Sequence, residues 1–451
     1  MVHRTLSWFV PPDSTTHPKP PDWLMVSLSL LAVLYSVMPL LAVRLPSAIE
    51  ILFALVGLYT LFRYGKGLRW TLPVKLMAVS VVVLVISWTF MMLDHPDLAR
   101  SGPSLEDYLD KFFFLFIALV VAGVERRALI YLGVFALFVL LMPWLSGEGS
   151  GEIATGLKGI RVDFGINPIR TGLLFGAVFL GLVCFAHRMF LVPRFSPLRF
   201  CVWALLVIYC LTIVIITQSR TAMVALIPGV VVAVALFLSL SPITSRFKVL
   251  VLAALIAGSA VALWASYMTG MNDLVEQRFD QEAAVVDQLL SGNVDDVPKT
   301  SWGIRVRLLT SGIESFLERP LTGWGYRAGE IVLDKEGLRQ GNGEVFSQAH
   351  NAYLEAALRY GVGGAVILLM LLAWALRGSW RSWKGQRMSF DMLLFLGATL
   401  SYFMVANLFD GLLFQTEGVL LFNVLMGVAG SYIFYQGHDR PDPEATHDNP
   451  A

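Results

Sequence analysis

The chain has 451 residues, of which 56% are hydrophobic and only 15% charged, with a mean hydropathy of +0.67. A soluble domain carries about 25% charged residues, and here the deficit is collected in long apolar runs, many reaching the roughly 20 residues that cross a bilayer core. A formal net charge of +1 leaves no electrostatic footprint for nucleic acid, and open strands have no way to satisfy their backbone groups in lipid, so the composition describes an all-α polytopic membrane protein.

In chain order, residues 1–22 read as a cytoplasmic N-terminal tail. Leu6 to Val10 is too short for the apolar core of a signal peptide, and Pro11, Pro12, Pro18, Pro20 and Pro21 follow. About twelve transmembrane helices are expected. Within 23–267 they fall at 23–43, 47–63, 73–93, 109–124, 127–145, 169–187, 198–217, 220–240 and 247–267. Within 351–436 they fall at 352–376, 390–410 and 415–436. The runs at 47–63 and 109–124 are short, and a re-entrant course is the alternative for each. Cys184, Cys201 and Cys210 lie in or beside apolar runs and read as packing residues.

Basic residues set the orientation. Arg63, Lys66 and Arg69; Arg126 and Arg127; Arg188, Arg194 and Arg199; Arg246 and Lys248; and Arg377, Arg381, Lys384 and Arg387 occupy alternate loops. The positive-inside rule puts these on the cytoplasmic side, with both termini. Arg161, Arg170 and Arg220 then lie on the opposite face, against the orientation signal, and ask for a functional reason.

A large extracytoplasmic loop with helices, 268–350, follows on that same face. An amphipathic helix is expected at 274–290 and a second at 303–318, stopped by Pro320. Gly323-Trp324-Gly325-Tyr326 reads as a turn able to bring backbone close to a ligand. Residues 437–451 are polar and read as a disordered cytoplasmic tail.

Chemistry concentrates where the polar loop meets an apolar helix, at Gln348-Ala349-His350-Asn351-Ala352-Tyr353-Leu354. An imidazole titrates near neutrality and accepts a proton from a hydroxyl. At His350 it would sit beside the N-terminal amides of the next helix; the plain alternative is a surface histidine near a helix cap. Arg161, Arg170, Arg220 and Arg305 carry guanidinium groups that fork onto phosphate oxygens, or else snorkel to headgroups. Asp410 ends the eleventh run on the same face, either orienting His350 or standing as a helix-end carboxylate. Asn351, Tyr353 and Asn167 flank these residues as possible support. Glu355 and Arg359, four apart, read as partners of each other. No His/Cys cluster marks a metal site near His350, and no phosphate-cradling Gly-Lys-Ser/Thr motif is present.

Taken together, Ser219-Arg220 at a span start, Arg305, the run Pro320-Leu321-Thr322-Gly323-Trp324-Gly325, and His350-Asn351-Ala352-Tyr353-Leu354 opening a span resemble the O-antigen ligase family, within the O-antigen ligase/polymerase superfamily. The resemblance implies a bacterial inner-membrane glycosyltransferase of lipopolysaccharide biosynthesis with a periplasmic active site. It implies an undecaprenyl diphosphate-linked glycan as donor, lipid A-core as acceptor, and neither metal nor nucleotide. It carries catalysis to His350 and diphosphate binding to Arg220 and Arg305; Arg307 stands close enough to Arg305 to compete for that role. Arg161 and Arg170 join the set by position and charge alone. A polymerase or a protein O-oligosaccharyltransferase of the same superfamily is the near alternative, and a lipid-linked sugar flippase the distant one.

Overall fold

The computed structural model describes residues 20–41, 47–65, 67–97, 99–241, 301–335, 346 and 348–435. The expected features at 1–19, 247–267, 274–290 and 437–451 lie outside the described residues. The described chain is helical throughout. α1 is Asp22–Val37, α2 Ser47–Tyr64, α3 Leu72–Asp94, α4 Glu106–Leu109, α5 Phe114–Val121, α6 Glu125–Leu145, α7 Ser150–Leu157 and α8 Pro168–Cys184. α9 is Pro197–Ile216, α10 Arg220–Leu240, α11 Ser301–Glu318, α12 Ala328–Lys335, α13 Ala352–Lys384, α14 Phe390–Phe409 and α15 Thr416–Phe434. Among the described residues eight helices are long and apolar enough to cross a membrane: α1, with the single turn that extends it to Leu41, and α3, α6, α9, α10, α13, α14 and α15. This is an all-α polytopic membrane protein.

α15 is the axis of the bundle. Every residue from Glu417 to Ile433 is buried, whereas α3, α9 and α10 turn Val82, Leu205 and Ile227 outward, as lipid-facing helices do. Against α15 lies the apolar run 109–124, which is not one helix. It is divided into α4, a tight turn at Asp110–Phe112, and α5, whose eight residues span about 12 Å, too short to cross a bilayer. The division is held by buried Asn423 of α15. Its Oδ1 accepts the Phe114 N–H at 2.9 Å, and its Nδ2 donates to the Asp110 carbonyl and the Tyr35 hydroxyl, both at 2.8 Å. One amide thereby satisfies the backbone that the break exposes.

The starts of two helices follow their caps. Ser219 accepts from the Ala222 N–H at the head of α10, and Asn351 accepts from the Tyr353 and Leu354 N–H groups at the head of α13. At the other end of the bundle, Arg188 ties α6 to α14 through Glu125 and Asp391.

Candidate active site

The residue before the α13 cap is His350, held in a left-handed backbone conformation (φ 51°). That turn aims the imidazole at the end of α14. Its Nδ1 is buried and lies 3.4 Å from Asp410 Oδ1. The contact is electrostatic and looser than a well-made hydrogen bond. The Asp410 side chain is 3% exposed and the His350 side chain 29%, so the carboxylate is sealed while part of the ring remains accessible. Asp410 Oδ1 also accepts the Gly411 N–H at 2.8 Å. Two further bonds strap α13 to α14 here: Asn351 Nδ2 donates to the Leu408 carbonyl at 3.1 Å, and the Tyr353 hydroxyl to the Met404 carbonyl at 3.0 Å. The Phe346 ring stands edge-on to the imidazole, 6.1 Å between centroids.

The arginines come to this end from separate segments. Arg161 Nε donates to the Thr217 carbonyl at 3.2 Å, and Gln218 Nε2 to the Gly159 carbonyl at 2.8 Å. The Arg161 loop therefore lies on the turn that launches α10 at Arg220. Gly172 of α8 packs directly against Ser219 and Ala222 of the same turn. Arg170, two residues earlier, donates from Nε to Gln415 Oε1 at 2.6 Å and from Nη1 to Glu417 at 3.0 Å. Gln415 in turn contacts Gln348 at 3.3 Å, two residues from His350. Asn167 caps α8 by accepting the Ile169 N–H. Arg305 lies on α11, whose Leu308 shares a small apolar core with Ala349, Leu358 and Trp324. Gln415 and Glu417 were not among the expected residues; their signal was a polar pair opening the last apolar run beside Asp410.

The Gly323–Tyr326 turn packs its backbone against a break in the helix that His350 precedes. α13 is broken at Tyr360 and Gly361, with Gly361 at φ 64°. The turn serves the broken helix: Trp324 N–H donates to the Leu358 carbonyl at 2.7 Å and Gly325 N–H to the Arg359 carbonyl at 3.0 Å. Ser87 adds its hydroxyl to the same Arg359 carbonyl, and Val362 N–H donates to the Pro320 carbonyl. A side chain on Gly323 would stand 2.6 Å from the Arg359 backbone. The Pro320–Gly325 run and the His350 helix are thus two halves of one structure.

Below that break, Arg359 and Glu355 pair as expected, with Arg359 Nε donating to Glu355 Oε1 at 2.7 Å. The third member, Asp107, was missed because it lies in a polar stretch with no pattern. It takes Arg359 Nη1 on both carboxylate oxygens at 2.9 and 3.0 Å, and the Tyr360 hydroxyl as well. The Phe414 ring lies within reach of two cations, Arg359 at 4.6 Å and Lys111 at 4.7 Å.

Fold and site together define a multi-pass membrane protein with a histidine–carboxylate pair and several arginines gathered at one end of the bundle. Residues 204–369 match the family model described as O-antigen ligase. The match supports membership of the O-antigen ligase family, and with it a function within the O-antigen ligase/polymerase superfamily. It takes in Arg220, Arg305, His350, Asn351 and Tyr353, while Arg161, Asn167, Arg170 and Asp410 stand outside it. No curated protein matches the chain.

Proposed function

We propose that the protein is an O-antigen ligase, moving a glycan from undecaprenyl diphosphate to lipid A-core on the periplasmic face of the bacterial inner membrane. The observation that carries this reading is the His350–Asp410 contact. Nδ1 faces a sealed carboxylate, which leaves Nε2 to take a proton. The acceptor hydroxyl gives that proton to His350 Nε2, and its oxygen attacks the anomeric carbon of the glycan. The bond from that carbon to the phosphate oxygen breaks, and the electron pair leaves with the undecaprenyl diphosphate. One displacement inverts the anomeric configuration.

Arg220, Arg161 and Arg305 hold the diphosphate and take up its growing charge, and Arg170 lines the same end. A single preorganised contact of this kind is worth about 3–4 kcal/mol of barrier. The leaving group is already a stabilised anion, so no separate general acid is needed and the reaction runs without metal. Ionisable groups in transporters tend to sit near the bilayer midplane; the helix-end placement of His350, Asp410 and Arg220 favours transfer at a membrane face over a flippase.

The test is transfer by the purified protein in nanodiscs, with lipid-diphosphate glycan, lipid A-core and EDTA, comparing wild type with His350→Ala. Metal-free transfer that disappears in a folded His350→Ala protein is the expected result. Normal transfer by that variant removes His350 from the mechanism. Joining of repeat units on the carrier, or transfer to a pilin-like acceptor in place of lipid A-core, assigns the protein to the polymerase or protein-glycosylating branch.

A further inference from the structure

The proposed mechanism leaves two buried charges, Glu355 and Arg359, and their half-buried partner Asp107 without a task. Asp107, Glu355 and Arg359 have side chains 13%, 0% and 9% exposed. Burying an ion network of this kind is costly, and replacing one with apolar side chains often leaves stability unchanged or improved. Stability alone is therefore a weak reason for it. Its geometry offers another. Glu355 uses both carboxylate oxygens: Oε1 accepts from Arg359 Nε at 2.7 Å, and Oε2 accepts from the Ala349 N–H at 3.0 Å. Ala349 is the residue before His350, and His350 is the one held at φ 51°. Non-glycine residues enter that region at a cost and stay only when their surroundings dictate it.

We infer that Asp107, Arg359 and Glu355 are a positioning relay that fixes the His350 turn, and with it the imidazole against Asp410. This rests on the ligase reading given above. Asp107 anchors Arg359 on both oxygens, Arg359 fixes Glu355, and Glu355 holds the backbone one residue before the base. Phe414, four residues beyond Asp410, lies against the same Arg359 guanidinium. The relay therefore borders both sides of the His350–Asp410 contact. Only a carboxylate at 355 serves, because two donors approach its two oxygens. A glutamine offers one acceptor and turns an N–H2 toward the other donor.

The test measures kcat and donor KM separately on folded protein. Glu355→Gln is expected to lower kcat by about 10- to 100-fold, the scale of a misplaced reacting group, with donor KM changed less than about threefold. The second variant removes the relay whole: Asp107→Asn, Glu355→Leu and Arg359→Met together leave no stranded charge. It is expected to unfold at or near the wild-type temperature and still to show the low kcat. Wild-type kcat in the folded triple variant, or a Glu355→Gln loss confined to KM, overturns the relay. His350→Ala in the same assay separates the two readings: if it transfers normally the ligase mechanism fails, and if it is inactive while the folded relay variants run at wild-type kcat, only the relay fails.

Discussion

Asp410 Oδ1 stands 3.4 Å from His350 Nδ1 while it accepts the Gly411 N–H at 2.8 Å. The carboxylate is thus fixed by its own backbone before it meets the imidazole. A base that gains a proton during the reaction is favoured by a buried negative charge behind it, and its ring is held in one orientation. Asp410→Asn keeps an acceptor for Gly411 but removes that charge. Transfer should fall by on the order of 10²-fold, with an unchanged unfolding temperature. Full activity in a folded Asp410→Asn protein would remove the pair from catalysis.

Arg220 is the first residue of α10, set by the Ser219 cap and backed by the Arg161 loop lying on Thr217. On the proposed ligase mechanism a guanidinium there takes two phosphate oxygens in its fork, where an ammonium would act only as a point charge. Arg220→Lys should therefore lose transfer, by roughly tenfold or more, and Arg220→Ala by about 10²- to 10³-fold. Steady-state rates with a defined lipid-diphosphate donor decide it. Equal activity in Arg220→Lys and wild type would mean that charge alone matters.

Hydropathy made the helical class readable, because each outer helix must be apolar around most of its surface. The onset of apolar runs made Arg220 and Ala352 readable as helix starts, and Pro320 made the end of α11 readable. The division of 109–124 was not, since its cause is Asn423, three hundred residues away. Nor was the break at Gly361, which lies inside an apolar run and is satisfied by donors from the Pro320–Gly325 segment. Asp107 carried no local pattern at all. Histidine, asparagine and arginine types were visible in the sequence; the contacts that join Arg161 to Thr217, Arg170 to Gln415, Gln415 to Gln348, and His350 to Asp410 are tertiary.

The break in α13 makes its own prediction. Gly361 sits at φ 64°, and a Cβ there would meet the Leu321 and Pro320 backbone. Gly361→Ala combines a left-handed penalty with a steric one, together about 1–3 kcal/mol or more. The protein should unfold at a lower temperature in detergent, and the loss should exceed that of Gly159→Ala, where φ is also positive (86°) but nothing crowds the site. Equal losses at the two positions would show that close packing of the Pro320 run adds nothing.

Arg170 separates substrate binding from support. Its side chain is 30% exposed, while the Glu417 side chain it pairs with is 9% exposed. Arg170→Ala leaves Glu417 nearly buried with its cation gone, at a cost of about 1–3 kcal/mol. Glu417→Gln in that background removes the stranded charge and should recover most of the stability. Thermal unfolding of the two single variants and the double variant closes the cycle. If Arg170 also touches the diphosphate, the double variant will be stable and still slow in transfer. If it only anchors Gln415 beside Gln348, transfer will return with the fold. A double variant no more stable than Arg170→Ala would mean that the Arg170–Glu417 pair does not carry the stability assigned to it.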